Sequence, residues 1–458
     1  MTDHLTTGFV AEAMRLRGYA VHAGPDVPVT GGAADSRNVL PGDLFTAFPG
    51  ENADGNRFVG DALRNGAVAA ICERAPEGQW ASKTIVVAPD ATLAVGELAH
   101  EWRRAWSGPV VGITGTVGKT TAKELIAAAL ASRFETHKSE GNFNSREGLP
   151  LALMSLRRTH EVSVLEMGMD SAGEIAYLCG IAEPEVGVVL NVGLTHVSKL
   201  GSIEAIAAEK LSLARWLPAA GTAVLNADDA RVAAGAGGLH CKVLTFGRFA
   251  SAQLRAESIA SRGLLGTTFT ARFEDESAVV ESPLPGEHVV PAALAALGVC
   301  IALGLRLEEA AAAVSAARTS GHLRIVTVGE GITVIDDRYN ASPASMQGAL
   351  EMLAELDGRR IAFIGRMAEL GEYELVEHRK AGEVAARSCD VLVTVGAVCV
   401  ALAEAARDAG HQDVRWFETK EAAAEDVARE MRPGDTVLVK ASRGEAFETI
   451  LPTLGVAA

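Results

Sequence analysis

The run from Gly112 to Thr121, Gly-Ile-Thr-Gly-Thr-Val-Gly-Lys-Thr-Thr, constrains the fold of this chain more than any other segment. It follows the apolar pair Val110 and Val111 and precedes an alanine-rich, helix-like stretch at 122–131. A glycine-rich turn between a strand and a helix lets backbone N–H groups and the helix N-terminus surround phosphate oxygens. We therefore predict a parallel α/β sheet with a phosphate-binding loop at the end of this strand.

The residue types within this loop fit a nucleoside triphosphate. Lys119 has the length to reach the β- and γ-phosphates, and the Thr120 hydroxyl is a ligand for Mg²⁺. The spacing departs from the general pattern G-x-x-x-x-G-K-[ST], because Ile113 stands at its first position. No guanine-reading Asn-Lys-x-Asp run follows at a strand end, so we expect ATP. The other loop residues expected to contact it are Gly115, Thr116, Gly118 and Thr121.

The hydropathy pattern divides the 458 residues into three regions, with boundaries expected near residues 98 and 318. The first, 1–98, combines a helix-like start, a loop-rich stretch at 21–57 and short strand and helix units. The second, 99–318, carries continuous apolar runs of the kind found in strands buried on both faces of a parallel sheet. We therefore predict a small α/β N-terminal domain and a central P-loop ATPase domain.

Two further patterns complete the predicted architecture. Residues 253–284 alternate between polar and apolar side chains, which predicts antiparallel strands at the edge of the central sheet. Residues 319–458 repeat apolar strand-like runs and amphipathic helix-like stretches in regular alternation. This repetition predicts a C-terminal Rossmann-like, doubly wound α/β domain.

Composition and charge exclude several classes of protein. With 42 Lys and Arg against 58 Asp and Glu, the net charge of -16 disfavours a nucleic-acid-binding surface. The six cysteines are scattered and form no Cys-x-x-Cys pair, which predicts reduced, buried thiols. We see no signal-peptide pattern and no apolar run of about 20 residues that would span a membrane. We therefore expect a cytoplasmic monomer that binds small molecules.

Several polar residues outside the loop are candidates for chemistry. Glu166 ends a predicted strand, where a carboxylate beside the phosphate loop is well placed to bind a metal ion. His196 follows another strand, and its position alone favours a structural or exposed role over a ligand. Lys210 lies in a helix-like stretch, where most lysines are solvated. Asn142 and Asn144 form a polar turn that fits either substrate contact or helix capping.

Together these motifs resemble the Mur ligases, a family of ATP-dependent amide ligases of peptidoglycan synthesis. Besides the phosphate loop, the matching segments are spread over almost the whole chain. They lie at 35–37, 41–45, 50–58, 141–144, 166–169, 336–341, 369–372 and 440–444. They are most similar to those of the member that joins D-alanyl-D-alanine to UDP-N-acetylmuramoyl-tripeptide (UDP-MurNAc-tripeptide). The resemblance implies these two substrates, ATP and two Mg²⁺ sites.

The resemblance also implies roles for individual residues. At the position of Lys210 the family has a carbamylated lysine that helps to hold the second Mg²⁺, and Glu166 and His196 match its other ligands. With Lys119, these three residues are the expected catalytic set. The expected ATP contacts beyond the loop are Asn144, Arg324, Asp336, Asp337, Tyr339 and Asn340, and the expected contacts of the other substrates are Ser36, Arg37, Asn142 and Arg443.

The implied mechanism begins with attack of a substrate carboxylate on the ATP γ-phosphate, which gives an acyl phosphate. The incoming amine then attacks the acyl carbon, and phosphate leaves. Lys119 and Mg²⁺ on Thr120 would neutralise the developing charge. Closure of three domains, each holding one substrate, would exclude the water that hydrolyses an acyl phosphate.

The chain departs from the family pattern at five positions, which are Ala292, His322, Arg338, Ser342 and Arg366. These differences are compatible with a related amide ligase of specialised metabolism that acts on another carboxylate and amine. A folate-type polyglutamate ligase shares the phosphate loop but should lack the first domain. A non-catalytic nucleotide-binding regulator would not need the catalytic set. No motif encodes the third residue of the peptide, which could be diaminopimelate, lysine or ornithine.

Overall fold

A computed structural model describes residues 3–50, 53–195, 197–318 and 323–457. Within these ranges the chain forms three main sheets in sequence order, each flanked by helices. The mixed α/β architecture predicted from the sequence is confirmed. No helix in the described ranges is long and apolar enough to cross a membrane.

The N-terminal region folds into a small sheet. Its strands are β1 (Leu5–Thr6), β2 (Ala20–His22), β3 (Pro28–Val29), β4 (Gly31–Ala33), β5 (Asp43–Thr46), β6 (Ala69–Cys72) and β7 (Thr84–Val87), and its helices are α1 (Thr7–Leu16), α2 (Val59–Arg64) and α3 (Ala91–Ala105). Strands β7, β6, β5 and β4 are parallel neighbours in that order, and β2 joins β7 as an antiparallel edge strand. Strands β1 and β3 pair separately.

The central region carries the largest sheet. Its strands are β8 (Val110–Thr114), β9 (Thr136–Lys138), β10 (Val162–Glu166), β11 (Val186–Val189), β12 (Thr222–Asn226), β13 (Lys242–Gly247), β14 (Leu254–Ser261), β15 (Thr267–Phe273) and β16 (Glu276–Ser282). Its helices are α4 (Lys119–Leu130), α5 (Gly148–Leu153), α6 (Glu174–Ala182), α7 (Val197–Leu200), α8 (Ile203–Trp216), α9 (Ala230–Ala234), α10 (Val290–Ala302) and α11 (Leu307–Ala316). The order is β9-β10-β8-β11-β12-β13-β14-β15-β16, parallel as far as β14 and antiparallel from there.

The C-terminal region is a doubly wound sheet. Its strands are β17 (Arg324–Val328), β18 (Ile332–Asp336), β19 (Arg360–Ile364), β20 (Val391–Val395), β21 (Val414–Phe417) and β22 (Thr436–Lys440), and its helices are α12 (Pro343–Ala354), α13 (Glu374–Ala385), α14 (Val400–Asp408) and α15 (Lys420–Glu430). The order is β17-β18-β22-β19-β20-β21, and only the first pair is antiparallel.

The continuous apolar runs of the central strands reflect burial on both faces of the sheet. On β8, Val110 packs into the cluster that contains α3, α5, α6 and α8, while Val111 and Ile113 pack into the cluster that contains α4, α10 and α11. Successive side chains of a strand point to opposite faces, so a strand covered on both sides has no polar face. The phosphate-loop strand is thus held in the middle of the sheet.

One sequence-based expectation for the N-terminal region is wrong. The stretch 21–57 is loop-rich, as expected, although it contains the short strands β3, β4 and β5. The sequence pattern also predicts that Asp43, after Pro41 and Gly42, lies in one of these loops, but Asp43 begins β5, whose four residues are all buried. A four-residue strand beside Pro41 and Gly42 carries too little periodicity to be recognised, and the neighbouring strands β4 and β6 decide its conformation.

His137 of β9 is a buried group that should make stability depend on pH. Its Nε2 donates to the Ala152 carbonyl (3.2 Å), so its Nδ1 accepts from the Ser163 hydroxyl (2.8 Å). Burial favours the neutral imidazole and lowers the pKa of His137 from 6.5 to about 3. Below pH 6.5 the unfolded chain therefore binds a proton that the folded chain excludes, and stability falls as the pH drops.

We predict that His137 costs about 2 kcal/mol of unfolding free energy at pH 5 relative to neutral pH. Urea unfolding over a pH series should show a shallower decline between pH 7 and 5 for His137→Gln than for the wild type. The exposed His240 serves as the matched control, because His240→Gln should keep the wild-type slope. An unchanged slope in His137→Gln would contradict the prediction.

Candidate active site

The phosphate loop connects β8 to α4 in the geometry that the sequence predicts. Gly118 has φ of +80°, a left-handed conformation that favours glycine, and α4 begins at the next residue. The Asn191 side chain, which follows β11, accepts the backbone N–H groups of Thr116 (3.0 Å) and Val117 (2.9 Å) and donates to the Val117 carbonyl (3.0 Å). The neighbouring strand therefore fixes the first half of the loop.

Two lysines converge on one backbone oxygen of this loop. Lys119 donates to the Gly115 carbonyl at 2.9 Å, and Lys210 of α8 donates to the same oxygen at 2.9 Å. Lys210 is 2% exposed, so the solvated role that its helical position favours is wrong. Burial lowers the pKa of both lysines, and the Lys119 charge adds to the large shift at Lys210. The lowered pKa favours the neutral amine at Lys210, next to the Lys119 cation.

Glu166, at the end of β10, is 2% exposed and held at both carboxylate oxygens. Thr120 donates its hydroxyl to Oε2 (2.8 Å), and Asn144 donates its amide to Oε1 (2.7 Å). Oxygen ligands of this kind suit Mg²⁺. Within the described ranges no group of three or more His, Cys, Asp and Glu converges, and His196 lies outside those ranges.

Two buried glutamates order the segment that follows Glu166. Glu174 accepts the backbone N–H of Asp170 (2.7 Å), and Glu209 of α8 accepts those of Gly173 and Ile175 (both 2.8 Å). Glu209 precedes Lys210 on the same helix. Helix α8 thus connects this segment to the phosphate loop through adjacent side chains.

The C-terminal region contributes a second group of polar and charged side chains near the phosphate loop. Lys440, 1% exposed at the end of β22, donates to Asp337 Oδ2 (2.6 Å) and to the Asn340 carbonyl (3.1 Å). Burial raises the pKa of Asp337, and the Lys440 charge opposes that shift. The Arg443 guanidinium stacks over the Tyr339 ring at 5.5 Å. These contacts follow the ends of β18 and β22, the same edge that carries ligand sites in doubly wound sheets.

A cleft of about 810 Å³ lies between two walls. The phosphate loop and Glu166 form one wall, and Asp337, Tyr339, Lys440 and Arg443 of the C-terminal region form the other. Most of the site residues predicted from the sequence line it, and these are Gly115, Thr116, Gly118, Lys119, Thr120, Thr121, Asn142, Asn144, Glu166, Lys210, Asp337, Tyr339, Asn340 and Arg443. Four predicted residues do not. Arg324 pairs in register with the buried Asp336 on the antiparallel strands β17 and β18, and Ser36 and Arg37 lie in the N-terminal region.

Comparison with known proteins identifies the family. Three family models match the chain, described as Mur ligase family, catalytic domain, at residues 28–103, Mur ligase middle domain at 113–300, and Mur ligase, glutamate ligase domain at 322–443. The UDP-N-acetylmuramoyl-tripeptide--D-alanyl-D-alanine ligase of Bacillus subtilis is 31% identical over 431 residues, which cover 93% of each chain. The chain belongs to the Mur ligase family.

Solved structures agree with this assignment. MurF from Acinetobacter baumannii is similar over 99% of both chains, with a TM-score of 0.84 and 28% identity. MurF from Thermotoga maritima, solved in complex with ADP, gives a TM-score of 0.80 and 29% identity over 93% of this chain and 97% of its own. This Mur ligase therefore has the three-domain α/β architecture of the MurF structures.

Three of the five positions at which this Mur ligase departs from the family pattern have local structural roles. Arg338 pairs with Asp336 (3.1 Å) and Arg366 with Glu374 (2.6 Å), so both guanidinium groups are held by carboxylates of their own region. Ser342 caps the N-terminus of α12. Ala292 lies on α10 and lines the cleft. His322 lies outside the described residues.

Sequence reasoning missed three side chains of the site. Asn191 holds the phosphate loop, Lys440 pairs with Asp337, and Lys123 is fully buried behind the loop. Lys440 and Lys123 carry a detectable signal, because each is a charged residue within a run of residues that the pattern assigns to a buried element. Such a residue is retained where a specific partner compensates its charge.

The pair of Lys440, which is buried, and Asp337, which is partly buried, yields a stability prediction. Lys440→Met should lower the local unfolding free energy of β18 and β22 by about 2 kcal/mol, because it leaves a partly buried carboxylate without its cation. Hydrogen exchange of the amides in Ile332–Asp336 and Thr436–Lys440 measures this. The matched control is Lys380→Met, which removes the 62%-exposed partner of Glu377 and should change protection by under about 0.5 kcal/mol. Equal protection in both variants would refute the prediction.

Proposed function

We propose that this Mur ligase joins D-alanyl-D-alanine to UDP-MurNAc-tripeptide with cleavage of ATP to ADP and phosphate, in peptidoglycan precursor synthesis. The observation that carries the proposal is the position of Glu166, held by Thr120 and Asn144 in the cleft that Lys119 and Lys210 also line. A metal-binding carboxylate next to a phosphate-binding loop is the arrangement that phosphoryl transfer needs.

The proposed reaction has two steps. An oxygen of the tripeptide carboxylate attacks the γ-phosphorus of ATP, the bond to the β-phosphate oxygen breaks, and ADP leaves. The amine of D-alanyl-D-alanine then attacks the acyl carbon, inorganic phosphate leaves, and the amine loses a proton. Lys119 stabilises the negative charge on the transferred phosphoryl group, and closure of the C-terminal wall excludes water from the acyl phosphate.

The metal-binding residues of this proposal divide into two sites. Thr120 would hold one Mg²⁺, and Glu166, His196 and Lys210 would hold the second. Bound Mg²⁺ supplies positive charge that neutralises the phosphate oxygens and orients them for in-line transfer. The Thr120 hydroxyl, the Asn144 side-chain amide and the Glu166 carboxylate carry oxygen atoms of the kind that a hard cation binds.

Carbamylation of Lys210 is part of the proposal, because an ammonium group does not bind a cation. The neutral amine attacks CO₂, an N–C bond forms, and the nitrogen loses a proton, which leaves an anionic carbamate. Burial and the Lys119 charge lower the pKa of Lys210, and this favours the neutral amine that the reaction requires.

We assign the substrates to the three regions from the resemblance to the Mur ligases. The UDP-linked peptide is assigned to residues 1–98, with Ser36 and Arg37 as contacts. ATP is assigned to residues 99–318, and ATP together with the acceptor amine to residues 319–458, where Asp337 and Arg443 line the cleft. A monomeric state and a cytoplasmic location complete the proposal.

The proposed function predicts that phosphate release requires both substrates. With Mg²⁺ and ATP, phosphate should appear only when UDP-MurNAc-tripeptide and D-alanyl-D-alanine are both present, and Lys119→Met should reduce the rate by at least about 100-fold. The control Lys242→Met changes an exposed lysine of the same region and should keep the wild-type rate.

Two results would overturn the proposed function. ATP turnover that is indifferent to D-alanyl-D-alanine would remove the acceptor assignment. Activity with another carboxylate and amine pair, but none with a panel of UDP-MurNAc-tripeptides, would favour the related ligase of specialised metabolism. The same panel identifies the third residue of the peptide.

The proposed carbamate predicts how substitution of Lys210 affects activity. Lys210→Ala should lower kcat by at least about 100-fold, and acetate or propionate should restore part of the rate by supplying a carboxylate in the vacated space. Wild-type protein prepared with ¹³C-bicarbonate should show a carbamate carbonyl signal in its ¹³C spectrum, and the variant should not. Full activity of Lys210→Ala, or the absence of the signal in active wild-type protein, would refute the carbamate.

A further inference from the structure

Lys123 is a fully buried cation that the proposed reaction does not use. It lies on α4, is 0% exposed, and has three acceptors. They are the Ser139 carbonyl at 2.7 Å, the Gly141 carbonyl at 3.2 Å and Glu124 Oε1 at 3.3 Å. A buried ammonium is costly unless its partners are well placed, so this one demands a specific environment.

The two carbonyls belong to the segment 139–144, which contacts Glu166 at both of its ends. Ser139 donates its backbone N–H to the Val164 carbonyl (3.0 Å), and its hydroxyl accepts the N–H of Glu166 (3.2 Å). At the other end Asn144 donates to Glu166 Oε1 (2.7 Å). The segment therefore positions both the backbone and the carboxylate of Glu166.

Helix α4 reaches the same carboxylate by a second route. Thr120, one turn before Lys123, donates to Glu166 Oε2 (2.8 Å). A closed circuit of hydrogen bonds thus runs from Thr120 through Glu166 and Asn144 to the 139–144 segment, and returns to α4 through Lys123. Lys123 is thus the contact through which this circuit returns from the 139–144 segment to α4.

We propose that Lys123 is a positioning residue of the nucleotide site. It ties the 139–144 segment to the phosphate-loop helix, so that Asn144 and Thr120 together orient the two oxygens of Glu166 toward the metal ion. The inference rests on the proposed function, because it assumes that Glu166 serves bound Mg²⁺. A lysine suits this task, since its ammonium has three donors for two carbonyls and one carboxylate.

The test is the effect of Mg²⁺ on ADP affinity, measured by isothermal titration with and without the metal. In wild-type protein Mg²⁺ should tighten ADP binding. In Lys123→Met this tightening should shrink by about tenfold, while the affinity for ADP without metal should stay within about twofold. The loop amides and Lys119, which bind the phosphates directly, are unchanged by the substitution.

The matched control is Lys138→Met. Lys138 belongs to the same charge cluster, with 2.5 Å between its Nζ and Glu124 Oε2, but it makes no hydrogen bond to the Ser139 or Gly141 carbonyl among the described contacts. The Lys138→Met variant should therefore keep the wild-type tightening of ADP binding by Mg²⁺. If Lys123→Met is not recovered folded, Lys123→Gln replaces it, because its uncharged side chain is too short to reach both carbonyls.

A double-mutant cycle with Asn144→Ala separates positioning from simple stability. Once the Asn144 contact is gone, Lys123→Met should cost little further Mg²⁺-dependent affinity, so the two losses should not multiply. Multiplying losses, an unchanged response to Mg²⁺, or equal losses with and without Mg²⁺ would overturn the inference. Absence of ADP binding in the wild type would instead overturn the proposed function.

Discussion

The site depends on the convergence of two buried lysines on the Gly115 carbonyl. The Gly115 carbonyl accepts from both Lys119 and Lys210, and the two amines stay together because the fold holds their helices in place. Helix α4 carries one lysine and α8 the other, and both helices pack on the sheet whose strand β8 supplies the loop. Burial and the neighbouring Lys119 charge lower the pKa of Lys210, so this close approach favours the neutral amine at Lys210 beside the Lys119 cation.

Buried charges in this protein connect elements that are distant in the sequence. Lys123 connects α4 to the segment after β9, Glu209 connects α8 to the segment after β10, and Lys440 connects the ends of β22 and β18. Each of these hydrogen bonds pairs a charged side chain whose burial would otherwise be unfavourable. The relative position of the two elements that each bond connects is therefore strongly specified. The cleft is therefore preorganised on both walls.

Sequence patterns predicted the strands buried on both faces and the helices between them, since periodicity and length identify such elements. They failed for β5, β9 and β17, which are short or at an edge and whose conformation their neighbours decide. For the site, the motifs placed fourteen residues that do line the cleft. They also included Arg324 and Asp336, which face each other across β17 and β18 instead. A motif marks a segment, whereas alternation along a strand decides which side chains face the ligand.

The sequence by itself determined the phosphate loop, the α/β class, the three-region organisation and the acidic catalytic candidate Glu166, because local residue order encodes each of them. Only the tertiary structure decided that Lys210 is buried against Gly115, that Asn191 fixes the loop, and that Lys123 of α4 holds the segment from which Asn144 contacts Glu166. These relations join residues separated by up to 95 positions. Packing of helices against the sheet brings them together, and no local pattern records that packing.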